Sequence, residues 1–119
     1  MATPEEWKYL IIWEFCVRAG MEERFEKVYG PRGDWARFFS QGEGYVTTEL
    51  NHDLKDSRRY ATLDFWVSPE AYENFRRQHA SEYRALDQKF EELTEKELEI
   101  GKFERVATRP RSKGIDIGR

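Results

Sequence analysis

The chain holds a single cysteine, Cys16, so no disulfide can close within it. Cys16 stands in an apolar strand where packing is its expected role, and a reducing compartment is the natural expectation. Its two histidines, His52 and His79, lie far apart in sequence and offer no metal-ligand spacing, so no metal is expected. A phosphate-cradling glycine loop is also missing, because Gly30 and Gly33 flank Pro31 and open no run of the required type. No apolar stretch approaches the ~20 residues of a membrane helix. The start, Met1 to Glu6, has neither the basic region nor the apolar run of a secretory signal. A cytoplasmic protein without a membrane partner is the expectation. An excess of one charge is lacking too: 20 basic residues against 23 acidic ones leave a net charge of -3. With the signs interleaved, no field is built for nucleic acid.

Aromatic residues, by contrast, make up 15% of the 119 residues and include Trp7, Trp13, Trp35 and Trp66. So many rings in a chain of one-domain length suggest a large apolar core, an aromatic-lined cavity or a dimer face. The domain is expected over residues 1–107. The stretch 108–119 carries four basic residues against one acid and reads as a basic tail, either flexible or laid on a partner subunit.

Strand one spans Trp7 to Val17, with Tyr9, Ile11, Trp13 and Phe15 on one face and Leu10, Ile12, Glu14 and Cys16 on the other. Both faces are largely apolar, so both should be covered. Met21, Phe25, Val28 and Tyr29 then follow helical spacing up to Gly30-Pro31, and Asp34 can cap a short second piece. Gly44 to Leu54 reads as strand two, and a turn at Asp56-Ser57 leads into strand three, Arg59 to Val67. Ser68 supplies an N-cap and Pro69 a preset first helical position. From there Tyr72, Phe75, His79, Tyr83, Leu86, Phe90 and Leu93 recur at steps of three and four, the stripe of one long helix. Thr94 with Glu97 three residues on suggests a capping box and a brief helical restart ended by Gly101. Phe103 to Ala107 is then a short fourth strand. The order βαββαβ is that of a ferredoxin-like α+β fold with a four-stranded antiparallel sheet. Helices cover one face of such a sheet, and a second copy of the chain is the simplest cover for the other, giving a homodimer through the sheet face.

His79 is the polar member of the aromatic stripe, and it reads either as a core imidazole with one hydrogen bond or as a general base. Strand parity puts Asp64 on the face of Thr62 and Trp66. If that face meets the long helix, Asp64 could orient His79 and raise its basicity. Glu14 and Glu49 also sit within strands, where they must either pair with Arg18, Arg59 or Lys102 or line a polar cavity.

The chain resembles the antibiotic biosynthesis monooxygenase family over about Lys8 to Val106. The resemblance is carried by element order together with Trp13-Glu14-Phe15, Gly44-Tyr45-Val46-Thr47-Thr48-Glu49-Leu50 and Asp64-Phe65-Trp66-Val67-Ser68-Pro69-Glu70-Ala71-Tyr72. It implies a dimeric α/β barrel with a pocket between sheet and helices and, in some members, cofactor-free oxygenation of phenolic polycycles. In such members a Trp ends strand three and a Tyr opens the next helix, matched by Trp66 and Tyr72, whereas an Asn of that strand is Thr62 here. Haem-degrading relatives place an Asn on strand one and a Trp and a His on the long helix; this chain has Trp13 and Glu14 on the strand, with Phe75 and a residue near Ala85 on the helix, which argues against haem breakdown. On this reading the chain is a cofactor-independent monooxygenase acting on a small aromatic or polyketide-like substrate. His79 is then the base, Asp64 its orienter, and Trp66, Tyr72, Tyr83, Glu14, Glu49 and Phe75 the substrate-binding set. A non-catalytic dimer that binds a small molecule is the alternative. RNA recognition ranks last, because Glu14, Glu49 and Asp64 would repel phosphate.

Overall fold

The computed structural model describes residues 3–106. Alternation of large side chains along Tyr9–Val17 (β1) sends Tyr9, Ile11, Phe15 and Val17 into the core. Two short helices, Glu22–Tyr29 (α1) and Asp34–Phe39 (α2), lead to Tyr45–His52 (β2) and Arg59–Trp66 (β3). The β2–β3 turn is held by Asp53, whose Oδ1 accepts from the backbone N–H groups of Lys55 and Asp56 at 2.7 and 2.9 Å. Pro69–Gln78 (α3), Ala80–Phe90 (α4) and Thr94–Glu104 (β4) complete the described chain. The sheet has the order β2-β3-β1-β4 with every pair antiparallel. Each crossover therefore skips one strand, and the helices gather on a single face, which is the ferredoxin-like plan.

The sequence pattern and the structure part at two places. The stripe from Tyr72 to Leu93 runs on as one period, yet the backbone leaves helical geometry at His79 (φ -121, ψ 31), which ends α3 and precedes α4. The hydrogen bonds from His79 N–H to Phe75 O and from Tyr83 N–H to His79 O bridge the break, each 2.9 Å long. With neither Gly nor Pro at the bend, nothing local announces it. The second difference is larger: Thr94 to Glu104 forms an eleven-residue strand paired along β1, in place of a helical restart and a short strand at Phe103–Ala107. Thr94 Oγ1 does donate to Glu97 Oε2 at 3.0 Å, but inside a strand. Glu and Lys are poor strand formers by propensity, and it is pairing with the apolar β1 that holds them extended. The tail 108–119 lies outside the described residues.

The core is a mesh of rings. Phe25 and Trp66 are fully buried, and Trp66 meets Phe39, Tyr45, Tyr72 and Phe75 at centroid distances of 5.3 to 5.9 Å. Gly44 makes the close approach beside it possible: its φ is +92, and a Cβ there would lie 2.7 Å from both Ala71 Cβ and Val67 Cγ2.

Candidate functional site

Between the helices and the inner sheet face lies a cavity of about 310 Å³, at the small end of the range for small-molecule sites, ~300–1,000 Å³. Its floor is the sheet: Ile11, Trp13 and Phe15 from β1, Thr62 and Asp64 from β3, and Thr48 from β2. Tyr29, Trp35 and Phe39 wall it from α1 and α2, and Tyr72, Arg76, Tyr83 and Asp87 from α3 and α4. Glu97 and Glu99 of β4 line the open side, where both are solvent-exposed.

Asp64 is the polar centre of the floor, 8% exposed. Thr48 Oγ1 donates to its Oδ1 at 2.7 Å, and Thr48 Oγ1 lies 2.8 Å from Tyr45 Oη, so with the Thr48 proton committed to Asp64 the tyrosine donates to Thr48. Tyr45 and Thr48 are three residues apart, a spacing that puts side chains on opposite faces of a regular strand. The bulge between Tyr45 and Thr47 brings them to the same face. Burial pushes the Asp64 carboxyl up to about 6, and the bond from Thr48 offsets only part of this. A carboxylate so placed changes protonation close to neutral pH.

Across the cavity, Arg76 Nη1 donates to Tyr72 Oη at 3.0 Å, and its guanidinium stacks 3.9 Å from the centre of the Tyr83 ring. Burial holds the Tyr83 hydroxyl protonated well above the ordinary range, as it does the Tyr29 hydroxyl. The indole N–H groups of Trp35 and Trp66 are buried without hydrogen-bond partners. Trp35 turns its N–H toward the Tyr29 hydroxyl without reaching hydrogen-bond geometry.

The structure separates the residues that the sequence suggested as a unit. Asp64 binds Thr48, whereas His79 Nδ1 sits 2.7 Å from Glu82 Oε1 and its ring packs on Phe75 and Phe38 at 4.6 and 6.0 Å. His79 is not among the residues lining the cavity. Trp66 and Phe75 pack in the core behind it, 0% and 2% exposed. Glu14 lies on the opposite sheet face and takes a two-pronged bond from Arg59, at 2.9 and 3.2 Å, which lowers its pKa. Glu49 is exposed and pairs in register with Leu63 on that same outer face. Of the expected set, Asp64, Tyr72 and Tyr83 line the cavity. Thr48, Arg76, Asp87, Glu97 and Glu99 join them without having drawn notice as site residues. The one available sign for Arg76 was its place a helical turn after Tyr72 and two turns before Tyr83. Among the described residues no group of three His, Cys, Asp or Glu side chains could hold a metal ion, and no helix is long and apolar enough to cross a membrane.

No protein-family model and no curated protein matches the sequence. Solved structures do match. SnoaB, a cofactor-independent oxygenase from Streptomyces nogalater, superposes with a TM-score of 0.70 at 19% identity, over 88% of this chain and 99% of that one. A protein of Bordetella bronchiseptica, named as a candidate antibiotic biosynthesis monooxygenase, gives 0.65 at 16% identity, over 85% and 99% of the two chains. The fold is that of the antibiotic biosynthesis monooxygenases. A dimeric ferredoxin-like protein from an uncultured marine organism shares it as well, with a TM-score of 0.63 at 16% identity over 91% of this chain and 96% of that one. The cavity of the present chain holds a buried Asp64 on its sheet floor and, on the helix side, an Arg76 held by Tyr72 and Tyr83.

Proposed function

We propose that the protein is a cofactor-independent monooxygenase, active as a homodimer, that oxidises a small phenolic aromatic compound in this cavity. The observation that carries the reading is Asp64: a buried carboxylate at the floor of an aromatic-walled cavity, with one oxygen bound by Thr48 and the carboxyl pushed up to about 6. Efficient general bases have pKa values near the working pH, and Asp64 has moved toward that range. The base role therefore passes from His79 to Asp64. SnoaB, with the same fold, is a cofactor-independent oxygenase, which agrees with the proposal.

The chemistry follows from the parts. Asp64 removes the hydroxyl proton of a phenol or a CH₂ proton of an anthrone, leaving a delocalised carbanion whose charge is shared between a ring carbon and the oxygen. Arg76, fixed by Tyr72 and Tyr83, stabilises that oxyanion. The carbanion reduces dioxygen and a C–O bond forms. Loss of water from the resulting hydroperoxide leaves a carbonyl, so a CH₂ and O₂ become C=O and H₂O with no further reductant. The ring-lined walls keep bulk water from the carbanion. The half-buried face of Leu10, Ile12 and Leu63, with exposed Leu98 and Phe103 beside it, suits the sheet contact of the homodimer.

The test is oxygen uptake with a panel of anthrones and naphthols, read together with ¹⁸O incorporation from ¹⁸O₂. Asp64→Asn is expected to lower the rate by ~10² or more, and wild-type activity should rise with pH through an apparent pKa near 6. A full rate in the variant would refute the assignment. Ligand binding with no oxygen uptake from any compound would favour a binding protein.

A further inference from the structure

The charges lining the cavity are unequal. Asp64, Asp87, Glu97 and Glu99 are set against Arg76 as the single cation of the lining, and Arg76 is already engaged by Tyr72 and Tyr83. Among the described residues Asp87, Glu97 and Glu99 enter no ion pair. Glu97 and Glu99 reach the cavity because their partners across the strands, Phe15 and Trp13, face inward. Asp87 comes from α4 and, with Glu91, bears on Glu97 closely enough to add to the upward pull of partial burial on its carboxyl. Next to these carboxylates stand the rings of Trp13, Phe15, Tyr29 and Trp35, and Trp35 holds a buried N–H with no partner. Uncompensated carboxylates beside aromatic faces form the setting that attracts an organic cation, through charge and through the negative faces of the rings. An anionic ligand would meet repulsion from the same three groups.

We infer that the cavity selects an aromatic compound bearing a protonated or quaternary amine, with the phenolic ring toward Asp64 and Arg76 and the ammonium group between Asp87, Glu97 and Glu99. This inference rests on the proposed use of the same cavity as the substrate site. It adds a division of labour, in which the floor handles the reacting oxygen and carbon while the open side reads the charge of the remote substituent.

Two naphthols of one shape test it, the first carrying a trimethylammonium group and the second a tert-butyl group in its place. Binding is read by quenching of tryptophan fluorescence and by calorimetry at low and high salt, and oxygen uptake is followed with each compound. The cation is expected to bind at least tenfold more tightly than its neutral twin at low salt. That preference should shrink in high salt and fall to about twofold or less in the double variant Asp87→Asn/Glu97→Gln. Equal or tighter binding of the neutral compound to the wild type overturns the inference, as does a preference that survives the double substitution or a failure of both compounds to bind. The wild-type comparison needs no variant to fold. Uptake of oxygen with the neutral naphthol alone would overturn the charge selection and leave the oxygenase reading intact. Selective binding of the cation with no oxygen uptake from any phenol would do the reverse.

Discussion

Asp64→Asn is expected to make the protein more stable at neutral pH while removing its activity. Burial raises the Asp64 carboxyl from 3.8 to about 6, so between those values the folded protein holds a proton that the unfolded chain has released. The contribution of this group to stability is thus most favourable below about pH 4, declines as the pH rises, and levels off above about 6. Two pKa units at about 1.36 kcal/mol each put the cost of the ionised side chain at ~3 kcal/mol, against a total stability of ~5–15 kcal/mol for a domain. Asparagine carries no charge to desolvate and can still accept the bond from Thr48. At pH 7.5 the variant should exceed wild type by ~1–3 kcal/mol in urea unfolding, and the gap should close as the pH falls toward 4. Protomer concentration must match in the two samples, because assembly shifts apparent stability. Other titrating groups cancel in the difference. A gap that stays constant from pH 4 to 7.5, or a variant less stable than wild type at the upper end, would refute the claim that Asp64 is strained by burial.

The other expectations concern separate parts of the molecule. His79→Ala should leave oxygen uptake within about threefold of wild type, since the ring lies outside the cavity; a loss of ~10² would return the base role to His79. Arg76→Met keeps the length of the side chain without its charge, and should weaken binding of a naphtholate by roughly tenfold, the scale of one charge-assisted hydrogen bond, as measured by fluorescence titration. An unchanged affinity would remove Arg76 from the site. Gly44→Ala should cost ~2–4 kcal/mol, combining a left-handed backbone with overpacking against Ala71 and Val67. Urea denaturation would check this, and a cost below ~1 kcal/mol would mean that the turn can relax.

The sequence determined by itself the strands with apolar alternation, the helix start at Ser68-Pro69 and the aromatic character of the interior, because these depend on local periodicity and capping. Ser68 Oγ does accept from the Ala71 N–H, at 3.1 Å, and β1 and β3 lie within two residues of where their side-chain patterns put them. The parity that set Asp64 beside Thr62 and Trp66 was equally readable. Tertiary structure decided everything that depends on a partner distant in the chain. Lys96, Glu97 and their neighbours have little intrinsic preference for a strand and become one because β1 offers an apolar edge with free backbone groups. The bend at His79 has no residue to mark it, and the ring there packs on Phe75 and Phe38. Thr48 becomes the partner of Asp64 only through a bulge in β2. Arg76 becomes a fixed charge only where Tyr72 and Tyr83, on two helices, close around it. The pattern of side chains along a chain sets which residues go inside, and the register of one element against another sets which of them meet.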